Sequence, residues 1–167
     1  MIAIVNVNPR WGIGSENHLL VRIRADMRRF RELTTGNMIV IGRKTLETFP
    51  NGKALPNREN IVLTRDSAFV ADGAIAVHDL SELHKILSAH ESDSIFVCGG
   101  EQVYRQLLPY CSDALVTLTY TDEIADRFFP NLNLLPNWIL TEIGDKQYEN
   151  DLAFRFLKYK NTDVHML

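Results

Sequence analysis

Twice in this chain of 167 residues a run of apolar, largely β-branched residues ends at glycine and passes directly into a helix start. The first reads Met38-Ile39-Val40-Ile41-Gly42-Arg43-Lys44-Thr45, and the second Ile95-Phe96-Val97-Cys98-Gly99-Gly100-Glu101-Gln102-Val103-Tyr104. Apolar at every position rather than at alternate ones, both runs read as buried strands of a sheet covered by helices. A glycine at such a junction lets backbone amides approach a ligand closely, and the free amides and dipole of the new helix favour an anion. Two such junctions on one sheet point to a dinucleotide with separated phosphates.

The same alternation continues along the chain. It predicts a strand near 2–8, a helix near 25–34, a strand at 38–42 and then a short helix. Strands near 60–64 and 74–77 follow, then a helix near 80–89, a strand at 94–98, a helix at 100–108 and a strand near 114–120. This order implies βαβ units and a largely parallel sheet. Trp138 to Ile143 and Phe154 to Tyr159 are two further β-like runs, joined by the polar segment Gly144 to Asp151, and predict an antiparallel hairpin at a sheet edge. The expected fold is therefore an α/β three-layer sandwich, with a mostly parallel central sheet, helices on both faces and a C-terminal antiparallel hairpin. Asn8 to Arg24 and Phe49 to Arg58 are rich in glycine, proline and polar residues, and are the expected rims of a cleft beyond the strand ends.

No linker, repeat or low-complexity tract divides the chain, so residues 1–167 are expected to form one domain. With 46% apolar and 23% charged residues the composition is that of an ordinary globular protein, and a net charge of −3 argues against nucleic-acid binding. The apolar opening Met1 to Val5 is too short for a signal peptide or a membrane span. A cytoplasmic monomer with no membrane partner is the expectation. Cys98 and Cys111 sit too differently in the pattern to suggest a disulfide, no cysteine or histidine cluster has metal-ligand spacing, and the five histidines are scattered.

Arg43 and Lys44 place two positive charges at a helix N-terminus, where the dipole disfavours cations, and an anionic partner would offset that cost. The alternative is a solvated helix start whose long side chains reach water. The Gly99-Gly100 pair is weaker, because neither it nor Gly12-Ile13-Gly14 completes a dinucleotide fingerprint or a P-loop. Asp26 carries the other chemical signal. On a helix beginning near Arg24, Met27, Phe30 and Leu33 form an apolar stripe, Asp26 falls beside it, and Arg28, Arg31 and Glu32 point away. An inward carboxylate needs a cationic or hydrogen-bonding partner, or a hydroxyl. The plainer reading is a first-turn acid that complements the helix dipole.

Ile13-Gly14 with Glu16-Asn17, Ala25-Asp26 with Phe30, Ile41-Gly42-Arg43-Lys44-Thr45 and Leu55-Pro56-Asn57-Arg58 with Asn60-Ile61 occur in this order and spacing. Gly99-Gly100 with Val103-Tyr104, then Thr117 and Phe129-Pro130, complete the set. Together they make the chain resemble the dihydrofolate reductase family over nearly its whole length. The resemblance implies NADPH-dependent reduction of 7,8-dihydrofolate to tetrahydrofolate, a step that feeds one-carbon metabolism and is an antifolate target. A hydride passes to an imine carbon and the neighbouring ring nitrogen gains a proton.

By the same resemblance Asp26 accepts hydrogen bonds from the pterin and promotes its protonation, with Thr117 supporting it. Arg58 binds the glutamate-side carboxylate, and Met27 and Phe30 pack on the pterin and benzoyl rings. Val5, Asn6, Val21, Leu55 and Cys98 complete the implied substrate contacts. The implied NADPH contacts are Asn6, Ile13, Gly14, Gly42, Arg43, Lys44, Thr45, Leu63, Thr64, Arg65 and Cys98, followed by Gly99, Gly100, Glu101, Gln102, Val103 and Tyr104. Arg65, with Arg43, favours NADPH over NADH through the adenosine 2′-phosphate. Its plainer reading is a solvated turn residue.

The chain departs from the family at Val21, where tryptophan is usual, at Leu20 and Arg24, where prolines are common, and at Asn6, in place of a small apolar residue. An indole N–H can hold an ordered water over the substrate and valine cannot, while Trp11 does not occupy that position. Two other readings remain open here: a reductase of the riboflavin-synthesis type acting on a ribosyl-pyrimidine, and a binder of NADPH or folate without turnover.

Overall fold

A segment that is apolar at every position can be buried only between two covering layers. The computed structural model, which describes residues 1–167, places both glycine-ended runs in the middle of such an arrangement. In chain order the elements are β1 (Ile2–Val7), β2 (Gly12–Ser15), β3 (His18–Leu19), α1 (Arg24–Thr34), β4 (Met38–Gly42), α2 (Arg43–Glu47), β5 (Glu59–Leu63), β6 (Ala74–Val77) and α3 (Leu80–Leu87). They continue with β7 (Ile95–Gly99), α4 (Glu101–Leu107), β8 (Asp113–Tyr120), β9 (Arg127–Phe128), β10 (Trp138–Ile143), β11 (Gln147–Glu149) and β12 (Leu152–Asn161).

The main sheet runs β10-β12-β8-β1-β7-β4-β5-β6, with β11 also paired to β12. From β8 to β6 every pairing is parallel, whereas β12 is antiparallel to β8 and to β10. The chain leaves β1, moves outward through β4, β5 and β6, then returns with β7 into the gap between β1 and β4. Ligands of open parallel sheets settle beyond the carboxyl ends at such a reversal, and here those ends are Val7, Gly99 and Gly42.

Strand alternation divides the core into two layers. Val5, Val7, Met38, Val40 and Val97 meet Leu83 and Leu87 of α3 and Val103, Tyr104 and Leu107 of α4 in the larger cluster. Ile4, Ile39 and Phe96 face the other way, toward Phe30 and Leu33 of α1 and toward Phe49 and Leu55. Only the three strand residues of that second cluster are buried. A layer whose strand floor is buried and whose facing side chains are half exposed is a cleft wall rather than a closed core.

The three-layer fold agrees with the sequence reading, and two local features differ. The stretch 8–24, expected to be irregular, contains a hairpin of β2 and β3 turned by Glu16 and Asn17 at φ 50° and 64°. That hairpin joins β9 in a separate three-stranded sheet. Two residues with positive φ make the tight turn that right-twisted strands prefer, but with no glycine there and strands this short the signal is weak. The second difference is β11, which lies within the segment expected only to connect the hairpin strands, and which extends that edge by pairing with the start of β12. No helix is long and apolar enough to cross a membrane.

Candidate active site

At the carboxyl ends of β1, β7, β4 and β5 lies a cavity of about 600 Å³. Every residue that the sequence reading assigned to the cofactor lines it, from Asn6 on β1 to Tyr104 on α4. The two glycine junctions form its floor and pack against each other. A Cβ on Gly42 would sit 3.2 Å from Val103 Cγ2, and one on Gly100 would sit 3.2 Å from Thr45 Oγ1. Gly99 has φ +113°, a conformation that only glycine adopts without strain, and its peptide to Gly100 is cis.

Arg43, Lys44, Arg65 and Arg127 bring four cations to the cavity, against the single acid Glu101. Arg43 pairs with Glu47 at 2.8 Å and Arg127 with Asp126 at 3.7 Å, while Lys44 and Arg65 carry no ion pair. The two unpaired cations stand ready for separate anionic groups. Seven lining residues escaped the sequence reading: Asn17, His18, Leu19, Thr48, His78, Gln106 and Arg127. The first three arrive on the unrecognised β2–β3 hairpin. His78 is set by its Nδ1, 3.1 Å from the Thr64 carbonyl oxygen, a pairing that no local pattern announces.

Asp26 lies in the first turn of α1 and points at the sheet. Thr117 Oγ1 donates to its Oδ1 at 2.5 Å, and Asn6 Nδ2 donates to its Oδ2 at 3.2 Å. Burial pushes the carboxyl above the usual carboxylate range; the two hydrogen bonds and the nearby Arg29 guanidinium pull it down without cancelling that effect. Of the residues implied to contact substrate, Val5, Asn6 and Cys98 line the cavity. Val5 does so from the far face, its side chain belonging to the larger core. Asp26, Met27, Phe30, Leu55, Arg58 and Thr117 lie outside the cavity lining, on or facing the α1 side of the sheet, where Phe30 and Leu55 wall the open cleft. Met27 leaves 43% of its surface in solvent.

Val21 sits half-buried in the extended stretch before α1 and does not line the cavity. Trp11 is buried on the other side, stacked on Phe129 with ring centroids 6.1 Å apart, so it supplies no indole to the cleft. The Cys98 thiol is raised above its ordinary range by burial, and both cysteines are free.

One long-range contact and one local clamp hold the cleft walls. The α1 start has no side-chain cap of its own; instead the Glu149 carboxylate accepts from Arg24 N–H at 2.6 Å and Ala25 N–H at 3.1 Å. Asn60, buried on β5, bonds both backbone groups of Leu55 and the Arg58 carbonyl, each at 2.9 Å, which fixes the loop that carries Arg58. The Arg58 guanidinium donates to Pro56 O at 3.0 Å and to Thr34 Oγ1 at 3.2 Å, leaving its other N–H groups free.

A family profile described as "Dihydrofolate reductase" matches residues 1–161. The chain is 37% identical over 152 residues to dihydrofolate reductase of Bacillus subtilis strain 168, covering 89% of this chain and 86% of that one. It is 33% identical over 159 residues to that of Staphylococcus haemolyticus, covering 94% and 93%. Its fold superposes with a TM-score of 0.86 and 27% identity on dihydrofolate reductase from Enterococcus faecalis complexed with NADP(H) and RAB-propyl, over 97% of this chain and 96% of that one.

Proposed function

The chain belongs to the dihydrofolate reductase family, and from this premise and the geometry of the cleft we infer how it reduces dihydrofolate to tetrahydrofolate with NADPH. The observation that carries the reading is the junction of two sites at Asn6: a cation-rich, glycine-floored cavity on one side, and on the other a hydrogen-bonded carboxylate on an open apolar wall.

The cavity residues fit the cofactor. Gly42, Gly99 and Gly100 allow backbone to approach a pyrophosphate, Lys44 and Arg65 offer unpaired charges to phosphates, and Ile13 and Gly14 close one side. NADPH supplies the hydride. On the substrate side Phe30, Leu55 and Met27 offer apolar surface to flat rings, and Arg58, held by Thr34 and Pro56, presents free N–H groups to a carboxylate.

Asp26 receives the amino and ring N–H groups of the pterin, and Thr117 fixes the carboxylate plane for that contact. A buried anion raises the basicity of what it binds, so Asp26 favours arrival of a proton at the ring nitrogen beside the imine carbon. With Val21 in place of tryptophan, no indole fixes a water there. A cytoplasmic monomer, organised as one domain, belongs to the same reading.

Reduction of a riboflavin-type substrate is not favoured, because both relatives and the superposed structure carry the dihydrofolate reductase name. Incubation with NADPH and dihydrofolate, followed by mass analysis of the folate, tests the assignment. A product heavier by two hydrogens supports it, and unchanged dihydrofolate beside reduction of a ribosyl-pyrimidine would replace it.

A further inference from the structure

We propose that Asn6 is a positioning residue for Asp26, its side-chain amide locked by Thr119 so that its N–H donates to Asp26 Oδ2 and holds the carboxylate oriented and ionised. The proposal rests on the reading of Asp26 as the acid at the pterin. Asn6 on β1 lies opposite Thr117 on β8, and Thr119 follows two residues later on the same face. Thr119 is fully buried, and its hydroxyl donates to Asn6 Oδ1 at 2.8 Å. The result is a directed chain, Thr119 to Asn6 to Asp26, with Thr117 donating to the second carboxylate oxygen.

The direction of that chain follows from donor and acceptor counting. An ionised carboxylate only accepts, so turning the Asn6 amide over would set its oxygen against Asp26 Oδ2. A small apolar residue at position 6 would remove this donor and leave the buried Thr119 hydroxyl without its acceptor, so the polar pair at 6 and 119 forms a unit.

Other groups face Asp26 from outside this unit, and neither Asn6→Leu nor Thr119→Val alters them chemically. Arg29 faces it from α1 and is itself opposed by Glu142 of β10. Tyr104 approaches from α4 as a neutral phenol bonded to the Ile4 carbonyl at 2.7 Å, and Glu149 stands at the helix start.

The test is a ¹³C NMR titration of the Asp26 carboxyl in ligand-free protein, for wild type, Asn6→Leu and Thr119→Val. Asn6→Leu keeps the branched shape, though with more bulk, and removes the donor, and the midpoint should rise by roughly one pH unit, the scale of one hydrogen bond to a charged group. Thr119→Val never touches Asp26, yet frees the amide to turn, and should raise the midpoint by a smaller amount. A midpoint unchanged or lowered in Asn6→Leu overturns the proposal. So does a rise in Asn6→Leu with none in Thr119→Val, since apolar bulk alone would then explain it. The titration needs neither substrate nor NADPH, so its failure is distinguishable from a failure of the reductase reading. In stopped-flow hydride transfer with both ligands, the pH below which the rate climbs should move upward with the carboxyl.

Discussion

Glu149 lies 125 positions after Arg24, yet its carboxylate accepts the Arg24 N–H at 2.6 Å and closes the start of the helix that carries Asp26. Ile23 at the cap position has no side chain able to do this. Glu149→Ala should therefore lower stability by about 1 kcal/mol, as loss of a helix cap does, and should lower turnover because Asp26 lies in that first turn. Urea unfolding and steady-state rates check both. An unchanged urea midpoint would show the cap to be dispensable.

Asp26 has its carboxyl raised by burial, and the sign of the stability effect follows. The folded state holds this proton more tightly than the unfolded chain does, so ionisation costs stability as pH rises from the unfolded value through the folded one. That cost is present above the folded value and is relieved in acid. Asp26→Asn should be more stable than wild type at pH 7, with the gap narrowing as pH falls. Urea midpoints measured across pH decide it, and a wider gap in acid would contradict the shift.

Arg58 is expected to act on the substrate alone. Arg58→Leu should raise KM for dihydrofolate by about 10- to 100-fold, the scale of a lost charged hydrogen bond. NADPH affinity, read by fluorescence titration, should stay the same. Weakened NADPH binding instead would misplace this arginine.

The parts of this molecule written in local pattern were legible, and those made by distant contacts were not. Both strand–glycine–helix junctions showed in the sequence because every residue from Met38 to Ile41 and from Ile95 to Cys98 is apolar, a pattern with few structural outcomes. Asp26 was legible from the helical period. The β2–β3 hairpin was hidden by its Glu16-Asn17 turn, and with it went Asn17, His18 and Leu19 of the cavity. The Glu149 cap joins segments whose proximity only the fold creates, whereas the Asn60 clamp is local, spanning two to five residues, but an asparagine side chain has many possible backbone partners and its choice is not written in the pattern. Assigning roles to Arg58 and Thr117 needed the family resemblance, since a half-buried loop arginine and a strand threonine have no signature of their own.

Arg65 follows β5 at the cavity edge and carries no ion pair. If it meets the 2′-phosphate, Arg65→Ala should weaken NADPH binding by about tenfold or more and leave NADH binding unchanged. Parallel titrations with both nucleotides check this. Equal loss for the two would mean that Arg65 contacts something they share.

The most direct test of the central claim is the fall in NADPH absorbance when dihydrofolate is added to the purified protein, with Asp26→Asn run beside it at pH 7 and in acid. The account predicts steady oxidation by wild type, a loss of about 100-fold or more in the variant at pH 7, and a smaller loss in acid, where solution protonates the substrate. NADPH that binds but is not oxidised by wild type would contradict it, leaving a binder without turnover.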